Sequence, residues 1–423
     1  MTVQIAIGLM IICGTIYLLV KQHESRLVLF VAGLLMATVA GEPIAAFKAF
    51  SKALTNAKVL EPIVASMGFA FVLKYTKCDQ HLVHLLAKGL KGLGPVLVPG
   101  AVLVTALINT SVTSASGCSA AVGAILIPLL MRMGVHPAMA GAAVFAGTYG
   151  SPHLNPGFAQ VIVVGEVAKA APMAVIANHA TPVIVTAFIV AAALGVVAYL
   201  RKEHTGYELD TMASETEFKV NFIKALVPVI PLALLLLGSM KIVPALKNLE
   251  ISYAMIIGSG IAWVVTRDKA EKVSKEFFHG FGEAFGHIFG IIACSLVFVG
   301  GMEAIGLVKA LVGFMKANPE LAKVTGSVGP FLLGMATGSG DAAAIAFNTA
   351  VTANAHAFGL DPLNLGSTAT AVASLGRTMS PIAGVTIICA GYAGVSPIEL
   401  AKRNIPSAIL GALFFTTMML YLR

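Results

Sequence analysis

The sequence predicts an all-α polytopic membrane protein, with about ten transmembrane helices plus two re-entrant hairpins in two inverted-topology repeats. Three observations carry this. The 423 residues are 57% hydrophobic and only 11% charged, where soluble domains carry roughly 25% charged residues. Apolar runs long enough to be spans recur along the whole chain. The two halves also resemble each other in sequence.

The formal net charge of +8 raises nucleic acid as a partner. The lysines and arginines sit instead in short gaps between apolar runs, the usual place for loop charge in membrane proteins, and form no single stripe. No nucleic acid is expected. The five cysteines, Cys13, Cys78, Cys118, Cys294 and Cys389, show no CxxC and no metal spacing, and read as small reduced hydrophobes. The first apolar run, Val3 to Val20, has no basic residue before it and no A-x-A site after it, so it reads as a retained span.

A helical span needs about 20 apolar residues. Repeat 1, residues 1–200, offers 2–21, 26–41 and 58–75, then 94–131, 137–168 and 177–200. A polar linker at 201–219 holds the only dense acidic run. Repeat 2, residues 220–423, offers 220–240, 250–266 and 286–301, then 326–357, 363–392 and 403–422. Segments 45–57, 80–92, 269–285 and 305–317 mix Lys with apolar residues and read as interfacial.

The duplication rests on matches 223 to 229 residues apart and in the same order. "HLVHLLAKGLKG" (81–92) matches "GLVKALVGFMKA" (306–317). "TSASGCSAAVGAI" (113–125) matches "ATGSGDAAAIAF" (336–347). "MGVHP" (133–137) matches "FGLDP" (358–362), and "GTYGSPHLNPG" (147–157) matches "LGRTMSPIAG" (375–384). The segments 94–133 and 326–357 each have a Gly/Ser/Thr-rich middle and short arms, which favours a hairpin over two spans. The segments 137–168 and 363–392 each carry Gly and Pro mid-run, as a broken helix does. Five crossings and one hairpin per half invert the second half relative to the first. Alternating the loops puts 17 lysines and arginines on one side and 10 on the other. The richer side is predicted cytoplasmic, with the linker, and both termini periplasmic.

Arg377 is the strongest candidate for chemistry. A charge at membrane depth is costly and marks function, and a guanidinium fork clamps a carboxylate with two parallel bonds. The bland alternative is a pairing with Asp341 or a helix-end cap. Gly376, Thr378 and Ser380 stand beside it as substrate-binding candidates. Asp341 is the candidate for ion coupling, by cation ligation or proton carriage; otherwise it N-caps the arm that follows. The hairpin tips supply hydroxyls and close backbone for substrate: Asn109, Thr110, Ser111, Ser116 and Gly117 in one, Thr337, Ser339 and Gly340 in the other. Ser151, His153 and Asn155 of the first broken helix complete the substrate set. Thr148, Gly150 and Gly338 join Asp341 as coupling candidates, and unwound carbonyls at such tips suit Na+. Against these, small residues also allow simple close helix packing, and His153 is equally a satisfied core histidine. No enzyme is predicted, because GxSxG, HExxH and GxxxxGKS/T are absent; "GSGDAAA" resembles a rhomboid-like GxS, but a symmetric repeat gives no reason for one catalytic serine.

"ATGSGDAAAIAF" followed by "ASLGRTMSPIAGV" and "AGYAGVSPIELAKRNIP" resembles the anaerobic C4-dicarboxylate transporter family of the DcuC type, within the ion transporter superfamily. The match is specific over about 335–406 and diffuse elsewhere. The resemblance implies transport of succinate, fumarate or malate across a bacterial inner membrane, by symport, antiport or exchange. It implies a homodimer in which an elevator-type transport domain slides against a scaffold of 2–75 and 220–301. It assigns Thr337 to Gly340 to the second tip and Gly376, Arg377, Thr378, Ser380 and Pro381 to the second broken helix. Asp341 stands where the family pattern has Asn. No cofactor is implied beyond a coupling Na+ or H+. A carrier of another organic anion (mono- or tricarboxylate, gluconate) and a cation/proton antiporter stay open.

Overall fold

The structure, a computed structural model, describes residues 3–21, 23–90, 94–208 and 218–423, without the side chains of Val20, Pro95, Ser151, Pro152, His287 and Pro319. All regular elements among the described residues are helical. The first half holds α1 (Val3–Val20), α2 (Ser25–Val39), α3 (Pro43–Leu54), α4 (Ala57–Thr76), α5 (Cys78–Lys88), α6 (Leu97–Ser111), α7 (Ala115–Arg132), α8 (Pro137–Gly147), α9 (Ala159–Ala168) and α10 (Pro172–Leu200). After the linker come α11 (Phe222–Leu226), α12 (Ile230–Ser239), α13 (Ile251–Thr266), α14 (Ala270–Glu283), α15 (Gly290–Ala304), α16 (Leu307–Ala317), α17 (Pro319–Thr337), α18 (Gly340–Ala350), α19 (Pro362–Arg377), α20 (Gly384–Ala393) and α21 (Pro397–Leu420). Pro opens α3, α8, α10, α19 and α21 at the position where a missing N–H costs nothing.

The helices that lead into the breaks sit at the centre. Every residue of α8 is buried, as a helix without a polar face must be. In α19 every residue from Leu365 to Arg377 is buried although the run is rich in Ser and Thr. Its hydroxyls are satisfied inward: Thr368 donates to Asn364 O and Thr370 to Gly366 O. Small residues let α19 press close to α17; a Cβ on Gly376 would stand 2.0 Å from Phe331 O.

Among the described residues, five helices are long and apolar enough to cross a membrane, or up to six if the α20–α21 pair, bent by 114°, is one span. The sequence pattern predicts about ten crossings. Several of the other apolar helices are shorter: α6, at 15 residues, is about 22 Å long, less than the roughly 30 Å hydrocarbon core.

One sequence-based boundary is corrected. The pattern separates an interfacial segment at 269–285 from a span at 286–301. In the structure Ala270–Ala304 is one continuous 35-residue helix with a π-turn at Ala284–Phe289. The matching stretch of the first half does break, between α3 and α4, at Thr55 and Asn56. Asn disfavours a helix interior because its side chain competes for the backbone. The matching position in the second half is Glu283, a good helix former.

Candidate functional site

Four interruptions of the helices converge. Between α6 and α7 lie Val112, Thr113 and Ser114, and Ser114 caps α7 by accepting from Gly117 N at 3.1 Å. Between α17 and α18 lie Gly338 and Ser339, and Ser339 caps α18 by accepting from Ala342 N at 3.2 Å. Asp341 therefore sits in the first turn of α18 and is not its cap. Gly338 holds a left-handed φ of 68° and packs on the second break, where a Cβ would stand 2.9 Å from Ala383 Cα. The first break, 148–158, carries a 3-10 turn at Ser151–Leu154; the second runs over 378–383.

Of the described cations only Arg377 and Arg403 are buried. Arg403 is fully paired, with both Glu203 oxygens at 2.8 and 2.6 Å and with Glu399 at 2.8 Å. Arg377 is not. Its Nη2 donates to Thr148 O at 2.9 Å and lies 3.3 Å from Thr148 Oγ1. Its guanidinium stands 5.9 Å from the centre of the Phe145 ring. Its Nη1 is buried with no partner. The cation thus rests on the carbonyl end of α8, where the helix dipole favours positive charge.

Asp341 is exposed to a cavity between the helices. Gln160 of α9 donates from Nε2 to Asp341 Oδ1. Its Oε1 faces His153 Nε2 at 3.0 Å. His179 of α10 donates from Nε2 to His153 O at 2.9 Å and meets Ser367 Oγ at 2.9 Å through Nδ1. No ion pair joins Asp341 to Arg377 among the described residues, so the pairing considered for them is not what holds either one.

The cavity is about 900 Å³. Both tips line it, through Thr113 to Gly117 and Gly338 to Asp341, together with Arg377 and Gly384 of the second break. The opposite wall is α4 and the α14–α15 rod, with Ser66, Phe71, Glu283 and Ile291. On α5, Asp79 also lines it; burial pushes its carboxyl up to about 6, against the pull of the Gln80 N–H and Lys74. A second void, of about 10 Å³, lies between Thr148, Gly150, His153, Asp341, Ser374 and Arg377.

The predicted residues divide. Arg377, Asp341, Gly338, Ser339, Gly340, Ser116 and Gly117 line the large cavity; Thr148, Gly150 and His153 line the small void. The rest line neither. Asn109 donates to Val112 O and Thr110 to Ala106 O, Ser111 is buried, and Thr337 donates to Leu333 O. Asn155 ties the first break to the first tip, donating to Thr110 O at 2.9 Å and accepting from Gly157 N. Thr378 donates to Leu375 O, Ser380 is buried, and Gly376 is a packing contact. The Ser151 side chain lies outside the described residues. No three His, Cys, Asp or Glu residues cluster as a metal site among the described residues. Gln160, His179 and Ser114 were not in the predicted set. Gln160 and His179 are isolated polar residues inside apolar runs, and that isolation was the available signal.

A chain whose described elements are all helical, several of them apolar, with its helix breaks gathered on a cavity beside one half-free buried arginine, has the build of a multi-pass membrane transporter. The chain belongs to the DcuC family, described as the C4-dicarboxylate anaerobic carrier family, whose model matches residues 68–422. It is a transporter and not an enzyme. It is 25% identical to the anaerobic C4-dicarboxylate transporter DcuC of Escherichia coli K12, covering 97% of this chain and 94% of that protein. It is 39% identical to a putative uncharacterized transporter of Haemophilus influenzae, covering 63% of this chain and 100% of that protein. The solved structure of MtrF from Neisseria gonorrhoeae, reported as illuminating a class of antimetabolite efflux pumps, matches the fold with a TM-score of 0.67 at 14% identity, over 91% of this chain and 86% of that one.

Proposed function

We propose that the protein carries C4-dicarboxylates such as succinate, fumarate or malate across a bacterial inner membrane, by symport with Na+ or H+ or by exchange. The observation that carries this reading is Arg377: a buried guanidinium with one nitrogen held by Thr148 and the other, Nη1, free beside the cavity. A buried cation without an anionic partner is costly, and a carboxylate supplies the missing acceptor. The names of the DcuC relatives point to the same substrate class. The antiporter reading needs Asp341 and Arg377 to hold each other, and they are held by Gln160 and Thr148 instead.

The two halves act as inverted repeats in this reading. Positions 229 apart support it: Thr148 and Arg377 are aligned in sequence and are bonded to each other. Gly147 and Gly376 are likewise aligned, and each leans on a backbone carbonyl of the preceding hairpin arm, Val102 O and Phe331 O, themselves 229 apart. The cavity between the tips and the wall of α4 and α14–α15 supports an elevator-type division into transport domain and scaffold. A homodimer and periplasmic termini complete the proposal.

The test is a binding screen of purified protein against mono-, di- and tricarboxylates, with and without Na+. Tightest binding of C4-dicarboxylates is expected. Equal or better binding of a monocarboxylate or a tricarboxylate would discard the substrate class.

A further inference from the structure

The small void holds two orphaned groups of opposite character. Arg377 Nη1 is a buried donor and His153 Nδ1 a buried nitrogen, and neither has a protein partner. Both residues line the void, and His153 Nδ1 lies 3.7 Å from where a Cβ on Gly150 would stand. Their hydrogen-bond roles follow from the chain of contacts behind them. An ionised Asp341 takes the Gln160 N–H, so Gln160 Oε1 must accept from His153, and His153 carries its hydrogen on Nε2. Its Nδ1 is then a bare lone pair. In this state the void presents one donor and one acceptor, which suits a water molecule and fits a volume of about 10 Å³. A lone pair facing the void repels a carboxylate.

One added proton reverses that. It binds Nδ1. The hydrogen on Nε2 then has two places. It stays, leaving an imidazolium that faces ionised Asp341 through the Gln160 amide. Or it passes to Asp341, and the amide turns over, so that Oε1 accepts from the carboxylic acid and Nε2 donates to His153 Nε2. One proton has entered in either arrangement, and in both Nδ1 is a donor. The void, sized for one oxygen atom, then offers two donors, Nη1 and Nδ1–H, to a carboxylate oxygen in the water's place.

We propose that His153 and Arg377 form a proton-dependent seat for one carboxylate group, and that Gln160 is the positioning residue that ties this seat to Asp341. The proposal rests on the dicarboxylate reading above and adds its coupling. On the side of Asp341 that is open to the large cavity, Lys74, Asp79 and Glu283 line the same space. His179 on α10 holds the His153 carbonyl and Arg377 on α19 lines the same void. Helices α6 and α8 contain no ionisable side chain. Helix α15 carries Cys294 and Glu303, α17 carries Glu320 and Lys323, and α4 carries Lys58, Glu61, Lys74 and Tyr75.

The experiment is fumarate binding to the full-length protein in nanodiscs between about pH 6 and 8, where free fumarate stays doubly ionised. Wild type should bind more weakly as pH rises, with Kd increasing by up to about tenfold per pH unit, the limit for one linked proton. Gln160→Leu breaks the link and His153→Asn leaves a side chain that does not titrate; each should flatten the slope to under about twofold per pH unit. Asp341→Asn should do the same. Should Gln160→Leu not fold, His153→Asn and Asp341→Asn decide by the same criterion. A wild-type slope retained in these variants, or a flat wild type, overturns the relay while fumarate binding itself leaves the dicarboxylate reading standing. No fumarate binding at any pH overturns both.

Discussion

At the first break, residues 148–158, the polar groups serve the protein. Asn155 binds the carbonyl of Thr110 and the amide of Gly157, and His153 turns to Gln160. At the second break, 378–383, Thr378 and Thr386 are satisfied within a few residues of themselves, and the charge just before the break reaches across to the first half. The same division holds at the tips. Aligned with Asp341, which is open to the cavity, the first half has Cys118, fully buried against Thr105. These two charged groups of the second half are thus each held by a neutral one of the first: Arg377 by Thr148, Asp341 by Gln160. Between the matched segments of the two halves, one carries the charge and the other orients it.

Substitutions at paired positions test that division. Arg377→Ala should cost the most, about 3 kcal/mol or roughly a hundredfold in dicarboxylate affinity. Thr148→Val removes only the hydroxyl and leaves the carbonyl acceptor, so about 1 kcal/mol, roughly fivefold, is expected. Equal losses in a titration of the two variants would break the comparison. Next come the glycines. At Gly376 an added methyl meets Phe331 O at 2.0 Å; at Gly147 it meets Thr105 Cβ at 2.5 Å and Val102 O at 2.6 Å. Gly376→Ala should destabilise by about 3 kcal/mol and Gly147→Ala by about 2, read as thermal unfolding in detergent. The reverse order would show that the first half is the tighter frame.

Asn155→Ala should cost about 1–2 kcal/mol in the same assay, because it removes the two buried hydrogen bonds to Thr110 O and from Gly157 N. The smallest expected effect is at Asp79 on α5, whose carboxyl is raised from 3.8 to about 6 mainly by burial. The folded protein holds that proton longer than the unfolded chain. Stability is therefore lost as pH rises from about 4 to 6 and is flat above. Asp79→Asn should raise the Tm at pH 7, and the gain should shrink as pH falls through 6 toward 4.

Much of this was legible in the chain. Gly, Pro and Ser in mid-run marked the places where α8 and α19 end: Gly lacks a side chain, Pro lacks an N–H, and the Ser hydroxyl competes for backbone hydrogen bonds. The one charge inside the "SLGRTMSPIAG" run was equally plain. What could not be read was partnership. Nothing local says that Thr148 would meet Arg377, although the alignment places them at the same repeat position. Gln160 stood in an apolar run with no motif around it, and its value lies wholly in the two residues that folding brings to it. The α14–α15 rod was missed because its amphipathic first part and apolar second part have different periodic patterns, and composition does not reveal that the backbone runs on through a π-turn.

When both are ionised, Arg377 and Asp341 carry opposite unit charges and together add no net charge to the site. Cargo must then bring its own charge into the membrane field, where each unit moved across 100 mV is worth about 2.3 kcal/mol. A dianion exchanged for a dianion moves no net charge and ignores voltage. A dianion accompanied by a single proton moves one negative charge and is pushed outward by an inside-negative membrane. For the proposed dicarboxylate carrier, the balance between one arginine and one aspartate would leave the direction of proton-coupled net flux to the membrane potential.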